Sequence, residues 1–146
     1  MHHLRSSLLC LFLLLSFNTA SANEPKSSQQ FGDYVIHYSP FNSTFVTPQI
    51  AKSYALIRDS RIGLINIAVH YKGKPISAQI QGEAANLLQQ KEALTFRLID
   101  EGEAIYYLAS FQFINEEILH FTVTVTPAQG GGSPMTVHFS RTFYEG

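Results

Sequence analysis

The sequence has 146 residues, with 10 Lys and Arg against 11 Asp and Glu, a formal net charge of −1. That length suits one domain able to bury its own core, and the charge balance with no basic run lacks the footprint of a nucleic-acid binder. One cysteine, no tryptophan, 7 tyrosines and 11 phenylalanines make an aromatic bias that favours strands over helices.

The chain opens with a short polar stretch carrying Arg5. A run of about ten almost wholly apolar residues follows, and then Ala20-Ser21-Ala22. This pattern predicts a secretory signal over residues 1–22, cut after Ala22, and hence a periplasmic destination. A membrane anchor needs roughly 20 apolar residues, about twice what is present, so no transmembrane anchor is expected once the signal is removed. Cys10 lies inside the apolar run and leaves with it. The exported remainder then carries no thiol, which excludes disulfides, thiolate metal sites and cysteine nucleophiles.

Residues 23–30 are polar and read as a flexible leader, with residues 31–146 forming a single domain. The first strand is predicted over 31–38, with Tyr34, Ile36 and Tyr38 on one face and a break at 39–42. Thr47-Pro48 reads as an N-cap followed by proline at the first helical position, opening one or two helical turns. From Leu64 the alternation is regular: Ile65, Ile67, Val69 and Tyr71 share a face. A turn is expected at 72–75 and a strand over 76–81. Next comes an irregular connection over 82–91, and then the alternating Leu94, Phe96 and Leu98. Ile105, Tyr107, Ala109, Phe111 and Phe113 form the next inward row. The clearest strand is 118–126, where Leu119, Phe121, Val123 and Val125 alternate with His120, Thr122, Thr124 and Thr126, the pattern of a half-buried antiparallel strand. Gly130-Gly131-Gly132 sits in a long hairpin loop before a last strand from Met135. About seven strands with no βαβ rhythm predict an all-β immunoglobulin-like sandwich of antiparallel strands, with a small β-barrel as the alternative.

Phe31-Gly32-Asp33-Tyr34, the segment 42–48, Ala85-Asn86-Leu87-Leu88, Ala104-Ile105-Tyr106-Tyr107 and Phe143-Tyr144 are each short. Their order and spacing together resemble a family of exported Gram-negative bacterial proteins known as domain of unknown function 4426. The resemblance covers residues 30–144. It implies a periplasmic location and an all-β fold, and it brings no activity, ligand or catalytic residue.

The chemistry-bearing candidates are few. Arg58 and Arg61, beside Tyr54, are two guanidinium groups able to receive an anionic or carboxylate group; as structural residues they would pair with nearby acids. Tyr106 falls opposite in face to Tyr107 and, with Leu108, would form an apolar partner surface if uncovered. Four histidines follow the signal, His37, His70, His120 and His138. If the last two strands pair in the right register, His120 and His138 come within side-chain reach as metal-ligand candidates. No nucleophile motif, phosphate loop or H-x-x-E-H spacing is present, so no cofactor and no catalytic residue is expected. The sequence points to a non-catalytic module that binds a protein or peptide, with edge-strand recruitment as one mode, or to a structural accessory of an envelope assembly. The alternative is a metal-binding protein or enzyme using the polar-face histidines.

Overall fold

The computed structural model describes residues 27–146, and the signal reading over 1–22 lies outside the described residues. Ten strands form two antiparallel sheets packed face to face. The first sheet has the order β1 (Ser28–Phe31), β2 (Tyr34–Asn42), β3 (Ile62–Tyr71), β8 (Ile105–Gln112), β7 (Arg97–Asp100), with the two-residue β4 (Lys74–Pro75) paired to β3. The second has the order β10 (Met135–Phe143), β9 (Glu117–Pro127), β5 (Ala78–Ala85), β6 (Lys91–Leu94). This is the β-sandwich the alternation predicts, without a closed barrel. The strands outnumber the expected seven because β1, β4, β6 and β7 are two to four residues long, too short to register as alternating runs.

The core forms where inward rows of the two sheets meet. Ile36, Ile65, Ile67, Val69 and Phe111 from the first sheet face Phe121, Val123, Val125 and Val137 from the second, each at most 1 % exposed. Phe111 lies at the centre of an aromatic cluster, its ring 5.0 Å from those of both Phe121 and Phe143 at edge-on angles. Phe139 stacks on Tyr38 at 4.2 Å, joining the sheets along the β2–β10 side. Such edge-to-face and offset pairs add about 1 kcal/mol each to the area they bury.

Three local expectations are corrected. Ser28–Phe31 is a strand paired to β2, so residues 28–30 belong to the sheet and not to the leader; Gly32, at φ 59°, makes the turn between them. The predicted break at 39–42 is absent, because β2 runs through Pro40 to Asn42. Proline is tolerated there since β1 pairs only with Tyr34 to His37, leaving Pro40 at the sheet edge, where its missing N–H breaks no ladder bond. The run Leu94, Phe96, Leu98 is two strands in different sheets: the chain crosses from β6 to β7 at Thr95-Phe96. Leu98 ends 53 % exposed, while Ile99 is buried.

The free edge at Pro40 is closed by a side chain. The Arg141 guanidinium of β10 donates to the Pro40 carbonyl, and Asn42 Nδ2 donates to the Tyr144 carbonyl at 2.7 Å. Arg141→Ala is therefore expected to lower stability by about 1–2 kcal/mol, the usual net loss for a hydrogen bond from a charged donor, measured by urea denaturation.

Between β2 and β3 the chain forms a single 3-10 turn (Ser43–Phe45) and helix α1 (Pro48–Ser53). The Thr47 side chain accepts from the Ile50 N–H, and Pro48 occupies the first turn, as the sequence predicts. This connection lies on the outward face of the first sheet. The Arg97 guanidinium of β7 donates to the Tyr54 carbonyl, and Leu56 and Ile57 share one cavity wall with Leu64 and Leu108.

Candidate functional site

The arginine cluster is distributed among separate partners. Arg58 Nε donates to the Val46 carbonyl at 2.7 Å and Arg58 Nη2 to the Thr44 carbonyl at 3.3 Å, tying down the turn ahead of α1. Arg61 pairs with Glu145 at 2.8 Å. Tyr54 donates its phenol to Glu101 at 2.6 Å, a bond that raises its pKa above the ordinary range. Tyr106 is half-buried opposite the buried Ile99 on the face that the α1 connection covers. Tyr54, Arg58 and Arg61 thus each bind a different partner, and Tyr106 shares none of them.

His120 and His138 stand on paired strands at diagonal positions: His138 is opposite Thr122, and His120 is opposite Ser140. Each ring uses Nδ1 on the hydroxyl across from it, Ser140 for His120 and Thr122, at 3.3 Å, for His138. Both histidines are solvent-exposed.

The structure brings the other two histidines together. His37 on β2 is opposite Ala68, and His70 on β3 is opposite Val35, which makes them diagonal neighbours on the outward face. Their rings lie 4.8 Å apart between centroids, at 60°. Both are half-buried. Ser28 of β1 is the register partner of His37, and Pro75 of β4 that of His70, so the pair is flanked by short strands on either side. Desolvation and, second, the nearby His70 push the pKa of His37 below its ordinary 6.5. A neutral imidazole keeps one ring nitrogen as a lone-pair donor, so at neutral pH His37 is held in its ligating form. Among the described residues, no group of three or more His, Cys, Asp or Glu gathers around one point.

The lowered pKa also sets a pH dependence of folding. The unfolded chain takes up a proton at 6.5, and the folded chain only at lower pH. Stability from this group is complete above 6.5 and falls as pH drops through that value toward the folded pKa. Thermal melts between pH 8 and 5 are expected to show that decline, and His37→Gln to flatten it.

Sequence reasoning weighed His120 with His138 because one hairpin joins their strands. It passed over His37 with His70 because the α1 connection separates theirs, and no short turn announces the register. The one available signal was that both occupy the non-core phase of their strands, opposite Ile36 and Val69 in alternation.

Two antiparallel sheets over a thiol-free aromatic core, with a histidine pair on the outward face, define the class: a β-sandwich protein. The chain belongs to the family described as domain of unknown function DUF4426, whose model matches residues 28–146. It is similar to a DUF4426 family protein of Pseudomonas aeruginosa PAO1 known from a crystal structure (PA0388). Identity is 36 %, with 82 % of this chain and 94 % of that one covered at a TM-score of 0.73. The fold also resembles FetP of uropathogenic Escherichia coli strain F11, at 11 % identity to both forms. A copper-bound variant covers 82 % of this chain and 95 % of that one at a TM-score of 0.58. The as-isolated form, expressed in the periplasm, covers 82 % and 94 % at 0.60. No curated protein matches the sequence. No described helix is long and apolar enough to cross a membrane.

Proposed function

We propose that this chain is a periplasmic, non-catalytic metal-binding module that holds copper(II) between His37 and His70. The carrying observation is the 4.8 Å approach of the two rings on a rigid two-strand platform. Imidazole suits copper, zinc and nickel, and among divalent ions of the first row a nitrogen site favours copper(II). Two imidazoles supply half of a tetragonal set, and water completes it. The signal-like residues 1–22 support export. The likeness to FetP, which is copper-bound in one structure and expressed in the periplasm in another, supports the ion and the compartment at the level of the fold. At 11 % identity no ligand is carried over residue by residue. Calorimetric titration of residues 23–146 with copper(II) at pH 7.5 tests the reading. One equivalent is expected to bind, and a titration that His37→Gln leaves unchanged overturns it.

A second reading keeps a protein or peptide of the envelope as partner. It is favoured by β10, a nine-residue strand at the edge of its sheet and hence a template for strand addition. Crosslinking in cells from a photoreactive residue placed at Ser140 is expected to capture one envelope protein. A pattern indistinguishable from that of a probe placed at Gln81, on the inner strand β5, would sink this reading.

A further inference from the structure

A second site lies at the end of the sandwich where β3 finishes and β8 begins. There the sheets part to leave a cleft of about 530 Å³ lined by Tyr34, Tyr71, Pro75, Ile76, Ile105 and Gln129. Its size falls within the range of small-molecule sites, roughly 300–1,000 Å³. One wall is aromatic: the Tyr34 and Tyr71 rings sit 4.7 Å apart at 43°, and the Lys72 ammonium stands 5.4 Å from the Tyr71 centroid. The opposite wall is the backbone of the chain entering β5 and leaving β9, where the Ala128 N–H donates to the Ser77 carbonyl at 3.1 Å.

The glycine loop borders this cleft through Gly130. Gly130 and Gly131 hold φ of 86° and 65°, and Gly132 packs close to Pro127 and Tyr34. A Cβ there would come 2.8 Å from Pro127 Cγ and 3.2 Å from Tyr34 Oη. Glycine is thus required at Gly132 by close approach and at Gly130 and Gly131 by backbone conformation. The three-glycine run thus passes close to Tyr34 at the edge of the cleft.

We infer that this cleft binds an uncharged, largely aromatic small molecule beside the glycine loop. The lining decides the ligand's chemistry. Among the described residues no Lys, Arg, His, Asp or Glu lines the cleft, and the Lys72 ammonium beside it rests over the Tyr71 ring without joining the lining, so a charged group brought inside would meet no counter-charge among the lining side chains, which is costly. The polar groups present, the Ser77 hydroxyl, the Gln129 amide and the two phenols, are neutral and suit one or two hydrogen bonds. The apolar and aromatic walls suit a planar ring. This site shares no residue with the histidine pair and does not depend on it.

The test uses residues 23–146 and two fluorescent probes, neutral N-phenyl-1-naphthylamine and anionic 8-anilinonaphthalene-1-sulfonate. The neutral probe is expected to bind saturably at one site, and the anionic probe to bind about tenfold more weakly or worse. Ile105→Glu places a carboxylate in the wall and is expected to weaken the neutral probe about tenfold or more. Tyr71, 36 % exposed, can be truncated without opening the core, so Tyr71→Ala gives the same readout in a variant that stays folded. His37→Gln leaves probe binding unchanged. Non-saturable binding, equal affinity for the two probes, or a Tyr71→Ala variant that binds as tightly as the parent overturns the inference.

Discussion

Gly63→Ala is expected to cost the domain about 3 kcal/mol or more, a large share of the stability a domain this size possesses. A methyl group at Gly63 would stand 2.2 Å from Phe111 Cζ and 2.3 Å from Phe111 Cε2. The ring cannot swing away, because Phe121 and Phe143 hold it at 5.0 Å on two sides and it is 1 % exposed. The added carbon must therefore displace β3 or force Phe111 off its rotamer. Phe111→Ala alone removes the centre of the cluster and is expected to cost about 4 kcal/mol. The two substitutions share one volume. The double variant should therefore be more stable than the sum of the single effects predicts, since the alanine at Gly63 then occupies space the ring has vacated. Urea denaturation of the three variants measures this. Strict additivity would mean that the ring does not rest on Gly63.

His70→Gln is expected to weaken copper(II) binding about 100-fold or more, and His37→Gln by the same order. Each removes one of the two imidazoles whose rings lie 4.8 Å apart, and a lone imidazole holds a divalent ion loosely. Because binding selects the folded state, copper at a hundredfold excess over the parent's dissociation constant should raise the melting temperature of the parent by about 5–10 °C and that of either variant by no more than about 1–2 °C. His120→Gln and His138→Gln are expected to bind as the parent does, each ring being engaged with a cross-strand hydroxyl. Affinity falls with pH, since protons compete for the same nitrogens. A melting shift that persists in His70→Gln and disappears in His120→Gln would move the site to the other sheet.

Much of the fold was legible because burial writes itself into alternation. The rows Ile65–Ile67–Val69, Tyr107–Ala109–Phe111–Phe113 and Leu119–Phe121–Val123–Val125 all face inward as their spacing predicts. Period two is a local consequence of strand geometry, so it can be read without knowing any partner strand. The N-cap at Thr47 and proline at Pro48 were equally local. Where the reading failed, the deciding fact was distant in sequence. Pro40 looks like a strand breaker until β1 is seen to stop short of it, and Leu94 to Leu98 looks like one strand until its two halves are found in different sheets.

The amino-acid sequence by itself determined the signal-like pattern at the head of the chain, the position of its one cysteine inside that pattern, the all-β class and the inward rows. Each depends on composition or short-range periodicity, and those are complete in the chain before it folds. Only the tertiary structure decided which histidines meet, which arginines are already engaged, and that the glycine loop packs close to Tyr34. Register across the α1 connection pairs His37 with His70, and no spacing within either strand encodes it. Contacts between strands far apart in sequence are set by the packing of both sheets at once, and for that reason the candidate sites became visible only in the folded chain.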